Sequence, residues 1–323
     1  FNWRSHCATS IKTKNMEKQE WLMLRKNGIG GSEAGAVCGL NPYVSPLEVY
    51  VSKTCESTCE EIPDNEAMRE GRDFEDYVAK RFTEASGLKV RRSNVMYASR
   101  EHPFMIADVD RIVTGRENGI TGLECKTASP YSAEKWKDGK IPAHYIMQCY
   151  HYMAVLDAQS WYIAVMVYGR EFKYMKIERD EEKDELVLQF KQTEENFWKH
   201  NVMEKVMPEP DGSEAAEAFI NRHFAESREE LSIPLAGFDE KLRRREEIAG
   251  LIDQLGTEKK KIEQEIKTYM DKAEYAENEN FLVSWKNSTT NRIDTKRLKA
   301  EMPDIYARFL NTVKSRRFIV KAV

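Results

Sequence analysis

Polar and apolar positions change their period several times along this chain, and each change predicts an element. Residues 17–25 follow a helical pattern and lead into the glycine-rich stretch 28–42. Within it, Ser32 is placed to cap a short helix, with Glu33 in its first turn where an acid suits the dipole. Ser45-Pro46-Leu47-Glu48 reads as a capping box with proline at the first helical position, so a second short helix begins there. A longer helix is expected over residues 64–86, ended by Gly87. Four runs then read as strands, residues 88–92, 94–98, 104–113 and 120–127, followed by a helix over 142–156. Residues 161–168 and 172–178, joined by Gly169-Arg170, read as a hairpin.

Beyond Glu178 the pattern turns helical and charged, from residue 181 to about 206, ending near Pro208 and Pro210. Over residues 239–277 apolar side chains recur at Ile248, Ile252, Leu255, Ile262, Ile266 and Tyr269, with Lys259 filling one slot. Steps of four and three of this kind predict a coiled-coil seam of about three heptads. Gly256 weakens that helix by roughly 1 kcal/mol without breaking its phase. The final segment predicts strand 281–286, helix 294–310 and strand 313–320. Four regions follow: a disordered leader over residues 1–16, a catalytic domain over 17–207, a helical coiled-coil segment over 208–280, and a small α+β tail over 281–323.

Composition narrows the class. With 41% hydrophobic and 32% charged residues, the chain can build a core, and no apolar run approaches a membrane span. An intracellular, cytoplasmic protein is expected. The six cysteines (Cys7, Cys38, Cys55, Cys59, Cys125, Cys149) form no zinc pattern and are expected to be reduced. Cys55 and Cys59 would share one face if the chain were helical there. The net charge of −4 argues against a protein that simply coats nucleic acid, yet residues 286–323 hold ten Lys or Arg against three acids. That tail is +7 and the remainder −11.

The chemistry lies in the middle. If residues 104–113 form one strand, alternation puts Asp108 and Asp110 on the same face, and on the next strand Glu124 and Lys126 lie side by side. Two oxygen donors with an ammonium beside them suit Mg²⁺, which takes few carboxylates, keeps waters and leaves room for phosphate. The ion polarises the phosphate and activates water, and Lys126 orients that water or steadies the developing charge. On the preceding helix Glu75 falls in an apolar stripe with Gly71, Val78 and Phe82, a position that favours a metal-facing role over a solvated one. Pairing with Arg72 is the alternative. On the following helix Gln148 and Tyr152 share a face with Tyr145. Taken singly, Asp-x-Asp and Glu-x-Lys are common solvated or ion-paired faces; their order along the chain gives them weight.

That order resembles a PD-(D/E)xK, restriction-endonuclease-like core, and the resemblance implies a mixed central sheet flanked by helices, α/β (α+β) in class. With the words Trp21-Leu22-Met23-Leu24-Arg25, GIGGSEAGAVCGLNPYVSPLEVY, Ala107-Asp108-Val109-Asp110, Leu123-Glu124-Cys125-Lys126-Thr127 and Tyr145-Ile146-Met147-Gln148, residues 17–200 resemble the YqaJ-type viral recombinase nucleases, relatives of lambda exonuclease. The resemblance implies catalytic positions at Asp110, Glu124 and Lys126, and a helix-borne acid at Glu75 supporting a second ion. It also implies a Gln-x-x-x-Tyr pair at Gln148 and Tyr152, and 5′-phosphate contacts from Arg25 and Ser32. A serine at a helix N-terminus, glycine N–H groups and a nearby Arg agree chemically with an anion site. The alternative is that Gly28, Gly30 and Gly31 only form a turn. The chain departs from the family where Asp110-Arg111 replaces Asp-Gly, and at Asp108, which could be an extra ligand or compete with Asp110.

By the same resemblance the expected activity is 5′→3′ exonuclease digestion of linear double-stranded DNA to leave 3′ overhangs, with two Mg²⁺ ions or Mn²⁺ in their place. Expected partners are DNA ends, a RecT-like single-strand annealing protein and further copies of the chain, as in a trimeric ring, in a bacterial host carrying phage or prophage genes. An endonuclease, a RecB-like single-strand nuclease module and a non-catalytic DNA-binding protein are the rivals. In the tail, Trp285, Tyr306 and Phe309 would either stack on nucleic acid or form a small core.

Overall fold

The computed structural model describes residues 8–55, 65–115, 119–229, 231–313 and 315–321. Cys7, Cys59 and the first seven residues of the expected leader lie outside them. The chain divides into two units, Phe1–Ala225 and Glu226–Val323. Among the described residues no helix is long and apolar enough to cross a membrane.

The first unit holds two mixed sheets flanked by helices. Its elements in order are β1 (Ala8–Lys12), α1 (Lys18–Lys26), β2 (Ile29–Gly30), α2 (Gly31–Val37), α3 (Pro46–Thr54), α4 (Glu66–Ser86), β3 (Val90–Arg92), β4 (Val95–Ser99), β5 (Met105–Asp108), β6 (Arg111–Val113), β7 (Thr121–Ala128), α5 (Ala143–Leu156), β8 (Ser160–Val167), β9 (Glu171–Glu178), α6 (Glu181–Asn196) and α7 (Glu214–His223). One sheet runs β1-β4-β5-β2, with β2 parallel to β5, and the other β3-β6-β7-β8-β9, with β7 parallel to β8. A parallel pair needs a crossover, and α5 supplies it between β7 and β8.

Side-chain alternation sorts the second sheet. Tyr162 and Ala164 of β8 and Leu123 of β7 pack with Val78, Ala79 and Phe82 of α4. Trp161, Ile163 and Val165 pack on the opposite face with Cys149, Tyr152 and Met153 of α5. Helix α5 also packs against β4 and β5, so it touches both sheets. The close β7–β8 pairing depends on Gly122, where an added Cβ would lie 2.1 Å from the Trp161 ring.

Local signals place several elements. Ser45 caps α3 by accepting from the Glu48 N–H at 3.3 Å, with Pro46 in the first turn. Helix α4 stops at Gly87, whose φ of 72° suits glycine. The expected hairpin forms, with β8 and β9 antiparallel from Ser160↔Glu178 to Val167↔Glu171.

Other expectations are corrected. Residues 8–12, expected to lie in a disordered leader, form β1 and pair with β4, which would otherwise be an edge. The strand expected over 104–113 breaks after Asp108, and its halves join different sheets. Helix α2 starts at Gly31 with Gly30 as its N-cap, so Ser32 is inside the first turn and caps nothing. Helix α3 ends at Thr54, so helical spacing does not carry through Cys55. The segment over 181–206 is α6 continued by a π-helical turn, Phe197–Met203. The first unit also runs past residue 207, because Phe219 of α7 is buried and α7 packs on α3.

In the second unit, α8 (Asp239–Met270) carries the seam, and Ile252 and Leu255 on it are exposed. A hairpin of β10 (Tyr275–Glu277) and β11 (Leu282–Ser284) follows. Two short helices, α9 (Thr295–Glu301) and α10 (Pro303–Arg308), replace the single one expected, because proline at 303 interrupts the hydrogen-bond ladder. The expected strand over 313–320 does not form in the residues described. Trp285 and Phe309 are exposed instead of forming a core.

Candidate active site

Alternation along β7 places the central residues. Leu123 packs on the α4 side, so Glu124 turns towards α5, where Gln148 lies. Glu124 is buried, 3% exposed. Its Oε1 accepts from Gln148 Nε2 at 2.7 Å and lies 2.6 Å from Lys126 Nζ, whereas its Oε2 is buried with no hydrogen-bond partner among the described residues. The same Gln148 amide reaches Tyr152 Oη at 2.8 Å, and that hydroxyl donates to the Asp108 carbonyl at 3.1 Å. Lys126 Nζ lies 4.6 Å from the centre of the Tyr145 ring, which stacks on Trp136. Glu124, Lys126, Gln148, Tyr152 and Tyr145 therefore meet.

Asp110 sits in the break between β5 and β6, and its Oδ2 accepts from the Cys125 backbone N–H at 2.8 Å, tying it to β7 beside Glu124. Burial pushes the Asp110 carboxyl well above its usual range; Glu124 and Glu75 push the same way, against Lys126 and the Cys125 N–H. Burial also raises Glu124, and Glu75 adds to it, while Lys126 and Gln148 oppose. For Lys126 burial disfavours the charge, but Glu124, Tyr145 and Asp110 outweigh it and hold the ammonium protonated. Lys126 thus sets one ammonium against the Asp110 and Glu124 carboxyls.

Among the described residues no three His, Cys, Asp or Glu side chains converge closely enough to hold an ion by themselves. Mg²⁺ does not require three, since one or two carboxylates complemented by waters and substrate phosphate are its usual ligands. The unpartnered Glu124 Oε2 beside Asp110 fits that requirement, because a buried carboxylate oxygen without a donor is costly unless something charged or hydrogen-bonding meets it.

The two acids expected on one strand face are separated. Asp108 Oδ2 accepts from Trp21 Nε1 at 2.8 Å, towards α1, and burial raises its carboxyl, with Trp21 and Arg25 opposing. Glu75 lies on the inward side of α4 as expected, but its partners are Arg111 and Arg92, with Arg92 Nη2 at 3.8 Å. Arg111 is buried, 3% exposed; its Nη1 bonds Glu75 and its Nη2 bonds Asp76, and Nη1 also donates to the Asp110 carbonyl at 2.8 Å. Arg111, noted only as a departure at the strand end, is thus a central residue of the cluster, and its adjacency to Asp110 was the only signal for it.

Arg25 and Ser32 do meet, with Arg25 Nη2 donating to Ser32 Oγ at 2.9 Å on the exposed side. Arg25 lies 4.9 Å above the Trp21 ring. Beneath it Glu33 accepts from the Gly30 N–H and from the buried Lys53 ammonium, both at 2.8 Å. Burial works to raise Glu33, but Lys53, Arg25 and the Gly30 N–H outweigh it and hold its pKa below the ordinary value. The glycine stretch is more than a turn: at Gly31 an added Cβ would lie 2.4 Å from the Tyr152 ring.

A second buried pair escaped the sequence. His151 and Glu194 are both 0% exposed, with Nδ1 to the carboxylate oxygens at 2.9 and 3.1 Å and Nε2 to the Ile106 carbonyl at 2.8 Å. Burial works against charge on the ring, but Glu194 and the Ile106 carbonyl outweigh it and raise the His151 pKa, and the pair ties β5, α5 and α6 together.

Residues 20–159 match the model of the YqaJ-like viral recombinase domain. The chain is 38% identical over 315 residues to the uncharacterized protein YqaJ of Bacillus subtilis (strain 168), covering 97% of each. Among solved structures, similarity extends to an alkaline exonuclease from Laribacter hongkongensis, at 20% identity and a TM-score of 0.48, over 58% of this chain and 94% of that one. A phage-related exonuclease from Haemophilus somnus 129PT is similar at 14% identity and a TM-score of 0.39, over 58% of this chain and 100% of that one. Matched along nearly its whole length by that Bacillus subtilis relative, the chain belongs to the YqaJ-like viral recombinase family.

Proposed function

We propose that this chain is a divalent-cation-dependent DNA exonuclease that degrades linear duplex from the 5′ end and leaves a 3′ overhang for strand annealing. One observation carries the chemistry: Glu124 has a buried Oε2 without a hydrogen-bond partner among the described residues and Lys126 2.6 Å from its other oxygen, and Asp110 is bound to the N–H of the next residue, Cys125. Asp110 and Glu124 would hold Mg²⁺ or Mn²⁺, and the bound ion would supply a polarised phosphate and an acidified water. Gln148 fixes the Glu124 carboxylate through Oε1, which would leave Oε2 available to the cation. Lys126, kept protonated between Glu124 and the Tyr145 ring, balances negative charge as the scissile phosphate is attacked. Arg25 and Ser32 present a guanidinium and a hydroxyl together on the exposed side, a combination suited to a terminal 5′ phosphate. Polarity, the overhang, the annealing partner and assembly with further copies follow the resemblance to lambda exonuclease.

The test is digestion of a linear duplex labelled at its 5′ or 3′ ends, with and without 5′ phosphate, in Mg²⁺ and in EDTA. Early release of 5′ label, dependence on Mg²⁺ and preference for the phosphorylated end are expected. Activity in EDTA, or release of 3′ label first, would overturn the proposal. Cutting of closed circular duplex would favour an endonuclease instead.

A further inference from the structure

In the cluster around Asp110, one cation is already built into the protein. The Arg111 guanidinium is enclosed by Glu75, Asp76 and the Asp110 carbonyl, and only 4% of its side chain is exposed. Arg92 adds a second guanidinium, 3.0 Å from Asp76 and 3.8 Å from Glu75. For Glu75 to serve as a metal ligand it would have to share its charge with these groups, and the incoming ion would stand beside a buried guanidinium. A buried cation stripped of its partner is strongly unfavourable, so the fork resists displacement. Glu124 is the contrasting case: its Oε2 is buried and has no hydrogen-bond partner among the described residues.

We propose that Arg111 takes the electrostatic place of a second metal ion, so that this site binds a single divalent cation, at Asp110 and Glu124, with Glu75 reserved for the arginine. This rests on the cation-dependent nuclease reading above. Arg111 thereby acts as a positioning residue: it neutralises the α4 carboxylates and, through the Asp110 carbonyl, holds the break between β5 and β6 that aims Asp110 at Glu124.

Counting ions tests it without reference to turnover. The full chain is titrated with Mn²⁺ by calorimetry and by the electron paramagnetic resonance of free Mn²⁺, alone and with a duplex carrying non-hydrolysable phosphorothioate linkages. One ion per chain in both conditions is expected, and Glu75→Gln should leave the count at one. Arg111→Gly, checked for folding by circular dichroism, should raise the count to two. Two ions on the unaltered chain in either condition would overturn the single-ion assignment and leave the nuclease reading standing, and no bound ion at all would overturn both. If Arg111→Gly is misfolded, the count on the unaltered chain and on Glu75→Gln decides.

Discussion

The indole N–H of Trp21 donates to Asp108 Oδ2 at 2.8 Å, joining α1 to the end of β5. That bond turns the Asp108 carboxylate towards Trp21 and Arg25, whereas Asp110, two residues on, is bound to the Cys125 N–H beside Glu124. Asp108→Asn should therefore keep DNA digestion within a few fold of the unaltered chain, since an amide oxygen can still accept from Trp21. Asp110→Asn and Glu124→Gln should each lower the rate by about 10²-fold or more, the scale for losing a group that stabilises the transition state. Rates on linear duplex under saturating Mg²⁺ check this. Equal losses at Asp108 and Asp110 would refute the distinction.

Gln148 is the support of the Glu124 carboxylate. Gln148→Leu removes a donor to Glu124 and to Tyr152 without filling the metal position. Losses of such supporting groups usually weaken metal affinity by about 10–100-fold. A Mn²⁺ titration of the variant should show that shift, with digestion recovering at high Mn²⁺ concentration.

Cation binding should strengthen with pH. Burial raises the Asp110 and Glu124 carboxyls, and an ion needs both ionised. A carboxyl whose pKa is higher folded than unfolded binds its proton more tightly in the folded state, so the metal-free protein loses stability as pH rises through the folded values. Mn²⁺ or Mg²⁺ compensates there. The rise in Tm on adding Mg²⁺ should be larger at alkaline than at acidic pH, and Asp110→Asn should flatten that difference in a thermal melt series.

Burial without compensation decides the His151–Glu194 pair. Removing one partner leaves a fully buried charge, so Glu194→Ala is expected to cost about 3–5 kcal/mol in urea denaturation. The combined replacement His151→Leu with Glu194→Met removes both charges and should cost less than either single change.

At Gly31 an added methyl would meet the Tyr152 ring at 2.4 Å, and that ring is buried with its hydroxyl held by Gln148 and the Asp108 carbonyl. Gly31→Ala is expected to destabilise by about 1–3 kcal/mol, the usual scale of overpacking. It should also weaken metal binding, because Tyr152 shares the Gln148 amide with Glu124.

Several of these relationships were legible in the chain itself. Glu124 and Lys126 share a face because β7 is one unbroken strand, and alternation is a local rule. Gln148 and Tyr152 meet because four residues make about one helical turn, and α4, its glycine stop and the β8–β9 hairpin follow equally local patterns. What only the tertiary structure decided lies across breaks and long separations. The break after Asp108 assigns β5 and β6 to different sheets, and with it Asp108 and Asp110 to different partners; alternation cannot foresee where a strand changes sheet. Likewise Arg111 finds Glu75 thirty-six residues away only because α4 packs across β7, and residues 8–12 become a strand only because β4 offers them an edge. Periodicity specifies which face a side chain takes, and the packing of distant elements specifies what that face meets.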